Sequence, residues 1–162
     1  MPEYKPFGPQ INVPLSRVTF SRWKPCYISD YPKIIRDSDI DLIAKSNCTG
    51  KFVMMSCGRG NSSSLPQTLD LLAWGPRQTI FGKTSSGQGQ VQNGVRFYRN
   101  KSWGFAKASS TISQSPCDNK NTDAAYRLCW HSDGSNRGWR CGEEKNLYTD
   151  ARWQRVIFDT DW

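Results

Sequence analysis

The chain has a single histidine, His131, and none of its six cysteines stands in a CxxC pair. Without clustered histidines or closely spaced thiols a structural zinc site has no ligand set, so neither a metal nor a cofactor is expected. No GxSxG elbow is present, which removes the serine nucleophile that such a turn exposes. No apolar run approaches the span of a bilayer, so no transmembrane helix is expected. Met1-Pro2-Glu3-Tyr4 carries no apolar h-region, and the expectation is that any signal peptide has been removed.

Hydrophobic residues make up only 36% of the 162, but 7 Trp, 7 Phe and 6 Tyr make them bulky. Each ring buries a large area, so a few of them build a core of one domain. The 13 Gly, 9 Pro and mean hydropathy of −0.68 point away from a helical bundle. An even number of cysteines without metal spacing implies three disulfides in an oxidising compartment, hence a secreted, extracellular protein. The triplets at Asn47, Asn61 and Asn100 are glycosylation sequons and agree with that compartment. The favoured pairing is Cys26–Cys48, Cys57–Cys117 and Cys129–Cys141, the last across a hairpin.

Organisation centres on residues 126–158. Runs 126–131 and 138–142 each carry a cysteine and a tryptophan and flank Ser132-Asp133-Gly134-Ser135-Asn136-Arg137, a stretch of turn formers. This predicts a hairpin, with Trp153-Gln154-Arg155-Val156-Ile157-Phe158 as a third strand beside it. Residues 1–25, with five prolines, predict an extended arm containing one strand over 17–23, leaving 26–162 as the main domain. A short helix is expected over 38–46, capped by Ser38 or Asp39, with Asp37, Asp39 and Asp41 in its first turn. Residues 51–57 predict a strand, 68–81 two strands broken at Gly75-Pro76, and 95–98 with 103–107 a second hairpin. Residues 82–94 and 108–125 predict long loops, the second pinned by Cys117. The expected fold is mainly β, an antiparallel sandwich or barrel with one short helix.

The net charge of +8 favours an anionic partner such as an acidic or sulfated glycan. The basic residues are dispersed rather than striped, which argues against nucleic acid. Carbohydrate needs a flat aromatic face for its C–H patches and planar polar groups for its hydroxyls. The hairpin offers Trp130, His131, Asp133, Asn136, Arg137 and Trp139 for this. Arg96, Tyr98, Arg99 and Trp103 form a second basic-aromatic group in sequence. A polysaccharide hydrolase would need His131, or carboxylates among Asp133, Glu143, Glu144 and Asp150, and no catalytic constellation surrounds any of them. Self-assembly through residues 1–25 is the other alternative, giving a homo-oligomer or a contact with another extracellular protein.

The segments CTGKFVMMSC, LLAWGPR, NGVRFY, NKSWGFA, SPCD, RLCWH, GWRCG and W-x-R-V-I-F resemble a secreted, adhesion-type module of microbial and lower-eukaryote extracellular proteins. The resemblance spans roughly residues 45–158. It implies extracellular display and a single domain that is often part of a larger protein. The reading from sequence is therefore a non-catalytic, lectin-like or adhesive recognition domain.

Overall fold

Residues 3–60 and 64–162 are described by a computed structural model. In chain order the regular elements begin with β1 (Gln10–Pro14), α1 (Leu15–Thr19), β2 (Lys24–Asp30) and α2 (Asp37–Leu42), the last running on into a π turn at Ile43–Asn47. They continue with β3 (Phe52–Arg59), β4 (Thr68–Pro76), α3 (Arg77–Phe81), β5 (Gln90–Gln92) and β6 (Val95–Arg99). Then come β7 (Ser102–Lys107), β8 (Leu128–His131), β9 (Gly138–Cys141) and β10 (Trp153–Thr160). The strands form two antiparallel five-stranded sheets, ordered β1-β4-β3-β10-β2 and β5-β6-β7-β8-β9.

Side chains alternate across a strand, so each strand feeds two layers. Val53, Met55 and Cys57 of β3, Leu71 and Ala73 of β4 and Ile157 of β10 point between the sheets. They meet Phe97, Trp103, Phe105, Leu128 and Trp130 from the second sheet, all buried. Met54, Val156 and Phe158 point the other way and are covered by Tyr4, Val18 and Trp23 from the N-terminal segment. On the outer face of the second sheet, Tyr98, Ala106 and Cys129 are covered by Ile112 and Cys117. The result is a β-sandwich whose two outer faces are also packed.

The three disulfides exist, with one pairing as expected and two exchanged. Cys26–Cys48 ties β2 to the end of the π turn. The others are Cys57–Cys141 and Cys117–Cys129, in place of the expected Cys57–Cys117 and Cys129–Cys141. The reason is register. Leu128 pairs with Cys141 and Cys129 with Arg140, so the two cysteines of the hairpin sit one residue out of step and face opposite sides of the sheet. Cys141 turns inward to Cys57 on the facing sheet, and Cys129 turns outward to the 108–125 segment.

Several element expectations shift for similar reasons. Residues 17–23 form no strand: Leu15 and Val18 share a helical face, Val18 is buried and Phe20 is 65% exposed. The N-terminal strand instead spans Gln10–Pro14, pairing with β4. The second predicted strand of 68–81 is α3, which begins after Pro76 and buries Thr79, Ile80 and Phe81. Residues 90–92, within an expected loop, add the edge strand β5. β10 lies in the opposite sheet from the 128–141 hairpin, between β3 and β2. Helix α2 is capped from its N3 position, where the Asp39 carboxylate accepts a bond from the Arg36 backbone N–H at 2.8 Å. No helix of the described residues is long and apolar enough to cross a membrane.

Candidate functional site

The β8–β9 hairpin carries an irregularity that matters for the surface. Cys129 pairs with Arg140 and Trp130 with Gly138, so Trp139 is an extra residue on its strand. A bulge of this kind re-aims a side chain out of the regular alternation. The half-buried Trp139 is thereby placed on the outer side of the sheet, where its indole packs against the cluster containing Cys117 and Cys129. Gly138 permits the local geometry: a Cβ there would lie 2.6 Å from the Tyr31 ring.

Facing Trp139 is the segment 115–119, part of a long polar connection that owes its order to sheet residues beneath it. Cys117 is bonded to Cys129. Asp118, fully buried, accepts from the Arg127 guanidinium at 2.8 Å and from the backbone N–H of Lys120 at 3.2 Å. Arg127 also donates to the carbonyls of Thr111 and Thr122, and Arg140 to those of Asp118 and Lys120. Two buried arginines, one carboxylate and one disulfide thus hold an otherwise irregular loop and supply donors to the carbonyls of Thr111, Asp118, Lys120 and Thr122.

Between this segment and the hairpin tip opens a cleft of about 270 Å³ lined by Ser115, Asn119, His131, Asn136, Arg137 and Trp139, together with Pro116, Cys117, Ser135 and Tyr148. Tyr148 reaches it from a short turn anchored by the buried Leu147 and is 43% exposed. The hairpin loop is itself ordered. Asp133 accepts from the backbone N–H groups of Ser135 at 3.0 Å and Asn136 at 3.1 Å, and a bridge between Arg36 and Asp133 ties the loop to the start of α2.

Burial acts to raise the Asp133 pKa, but the bonds from Ser135 and Asn136 outweigh it and hold the carboxyl below its ordinary value. His131 is 7% exposed, and burial pulls its pKa down; the Arg155 charge adds to this and the Asp133 charge opposes it. The imidazole is therefore neutral at pH 7. Its Nδ1 is buried and forms no hydrogen bond among the described residues. A histidine whose folded pKa lies below its unfolded value near 6.5 contributes stability that is complete above about pH 6.5 and is lost as pH falls through the unfolded and then the folded pKa. With no other histidine in the chain, the thermal midpoint of the wild type should fall more steeply between about pH 7 and 5.5 than that of His131→Gln. Parallel slopes would mean that His131 titrates normally.

Four residues expected from the sequence thus meet at one cleft: His131, Asn136, Arg137 and Trp139. Asp133 supports the loop from outside the lining. Trp130 is in the core, its indole donating to the Tyr31 hydroxyl at 3.0 Å and stacking edge-on to Trp103 at 5.4 Å. Nor does the second basic-aromatic group come together on the surface. Trp103 donates to the Ile80 carbonyl, Tyr98 to that of Leu128, and Arg96 to those of Ala108 and Ser110. Arg99 is buried and bonds Asp37 and Asp41, fastening α2 to the second sheet. The sequon residues Asn47 and Asn100 are exposed, and Asn61 lies outside the described residues. Ser115, Asn119 and Tyr148 have no local sequence signal; the Cys117–Cys129 bridge and the bonds of Arg127 and Arg140 to their segment bring the first two to the hairpin.

No family model, curated protein or solved structure matches the chain. The functional reading rests on the geometry of the cleft.

Proposed function

We propose that the chain is a secreted, non-catalytic recognition domain that seats a sugar unit in the cleft between the hairpin loop and residues 115–119. The observation that carries this is the bulged Trp139, half-buried at a cleft whose lining includes the amides and hydroxyls of Asn119, Asn136, Ser115 and Ser135, with Tyr148 as a second ring. An aromatic plane takes the C–H face of a pyranose, and planar polar groups set its orientation through the hydroxyls. Three disulfides, two exposed sequons and the resemblance to extracellular adhesion modules support the secreted setting. Self-assembly through the N-terminal segment is the rival reading, favoured by the open edge of β1 and the exposed Ile11.

A glycan array tests the reading. Binding to at least one saccharide class is expected, and Trp139→Ala should weaken it by about tenfold or more while leaving the far-ultraviolet spectrum unchanged. Tyr148→Ala should weaken it less, because that ring is more exposed and only flanks the site. An array without binding above background, or equal binding by Trp139→Ala, would remove the proposal.

A further inference from the structure

Four arginines of this chain are held inside the fold through their guanidinium groups. Those of Arg99, Arg127, Arg140 and Arg155 are engaged inside the fold by carboxylates, carbonyls and hydroxyls. Arg137 differs from these four. It is exposed, it lines the cleft, and its guanidinium forms no hydrogen bond or ion pair among the described residues. Its backbone is fixed, since the Arg137 carbonyl accepts the His131 N–H at 3.2 Å. The position of the side-chain root is therefore set by the hairpin while the charged head is left unengaged.

The lining contains no carboxylate to neutralise that head. The other residues around the cleft are Ser115, Pro116, Cys117, Asn119, Ser135, Asn136 and neutral His131, with the two aromatic rings. Asp133, in the same loop, is outside the lining and has its oxygens occupied by Ser135 and Asn136. A planar guanidinium with free donors in a partly enclosed site matches a carboxylate or sulfate through paired bonds, and the match is stronger than in open water. The net charge of +8 adds long-range attraction for the same sign of ligand.

Building on the carbohydrate reading of this cleft, we infer that its ligand is an acidic saccharide, with the anionic group of one sugar on Arg137 and the ring face of that sugar on Trp139. The shared chemistry is an oxyanion attached to a pyranose, as a uronate carboxylate or as a sulfate ester. Trp139 selects the ring and Arg137 the charge, so removing either should give a different pattern of loss.

The test is calorimetric titration with oligogalacturonate, with the same oligosaccharide as its methyl ester, and with a sulfated chondroitin oligosaccharide. At low salt the acid or the sulfate should bind at least about tenfold more tightly than the ester, the value expected for one charge-assisted contact. Preference for the acid assigns a carboxylate ligand, and preference for the sulfated chain assigns a sulfate. Arg137→Met should bring the charged ligands down to the affinity of the ester, with Arg137→Lys intermediate because the ammonium cannot make the paired bonds. Lys45→Gln, which removes one exposed charge away from the cleft lining, should change affinity less than twofold and controls for bulk attraction. Ester bound as tightly as the charged ligands would overturn the inference and leave the carbohydrate reading standing. Equal losses in Lys45→Gln and Arg137→Met would likewise overturn it, as bulk charge would then explain the binding. If no saccharide bound, both would fall.

Discussion

Replacing Cys57 and Cys141 together by Ala should lower the thermal midpoint by roughly 10 to 18 °C. The bridge joins β3 of one sheet to β9 of the other across the core, and it closes a chain segment of 84 residues. In the chain-entropy account a loop of that size is worth about 4.5 kcal/mol, and about 1 kcal/mol moves the midpoint of a domain this size by 2 to 4 °C. Removing Cys117–Cys129, whose separation is 12, should cost less, about 3 kcal/mol on the same reasoning. Its loss should instead be felt at the cleft, because that bridge holds residues 115–119 opposite Trp139. Differential scanning calorimetry of the two double variants gives the ranking. The reverse order would mean that the inter-sheet bridge adds little to a sandwich already closed by its side chains.

The second large effect concerns Arg155, which is fully buried on β10. Its guanidinium donates to the Ser29 hydroxyl at 3.0 Å and to the carbonyls of Asp30 at 2.7 Å, Tyr31 at 3.2 Å and Lys33 at 2.7 Å. It also lies 5.5 Å from the Tyr31 ring centre and 5.8 Å from that of Trp130. Burial pulls its pKa down to about 10, partly offset by Tyr27, Tyr31 and Asp30, and this leaves it charged at neutral pH. The residue gathers the carbonyls where the chain leaves β2 and turns toward α2. Arg155→Met keeps much of the volume but strands the Lys33 carbonyl and the Ser29 hydroxyl. It also takes one of two bonds from the Asp30 and Tyr31 carbonyls, which keep the N–H groups of Lys33 and Gly138. The expected cost is roughly 3 to 5 kcal/mol in urea unfolding. Replacing a whole buried ion pair by apolar side chains is often tolerated, but here only the donor would be removed. A loss below about 1 kcal/mol would show that water satisfies the carbonyls once the arginine is gone.

The strands were legible where apolar spacing had a single interpretation. The runs at 51–57, 95–98, 103–107 and 126–131 all appear within one or two residues as β3, β6, β7 and β8. The α2 helix was legible from its clustered aspartates and its Ile40–Ile43 spacing. Local patterns misled where two periods fitted the same letters. Val18 and Phe20 alternate like a strand, but Leu15 and Val18 also share a helical face, and tertiary burial of Val18 decided the matter. Arg77–Phe81 follows a proline and reads equally well as strand or helix; packing of Ile80 against Trp103 and the sheets selects the helix.

The disulfide exchange is more instructive, because the information was present in the chain. In Arg127-Leu128-Cys129-Trp130-His131 the large apolar residues Leu128 and Trp130 claim the inner face, which sends Cys129 outward. Matching heights on a hairpin did not suffice, as partners must also share a face. That same parity put Trp130 in the core, while the bulge freed Trp139 from it, and adjacent residue types gave no hint of which tryptophan would be which. Half of the cleft was therefore visible in the hairpin loop. The other half comes from residues 115–119 and Tyr148, which reach it through the Cys117–Cys129 bridge, the buried Arg127–Asp118 pair, the bonds from Arg140 and the Leu147 anchor.

The most direct measurement is the indole N–H region of a nitrogen-15 spectrum recorded during titration with an acidic oligosaccharide. Trp139 should shift progressively with ligand, and the resonances of buried Trp103 and Trp130, whose N–H groups bond Ile80 and Tyr31, should stay in place. Saturable shifts confined to other tryptophans, with Trp139 unmoved, would contradict the assignment of the cleft.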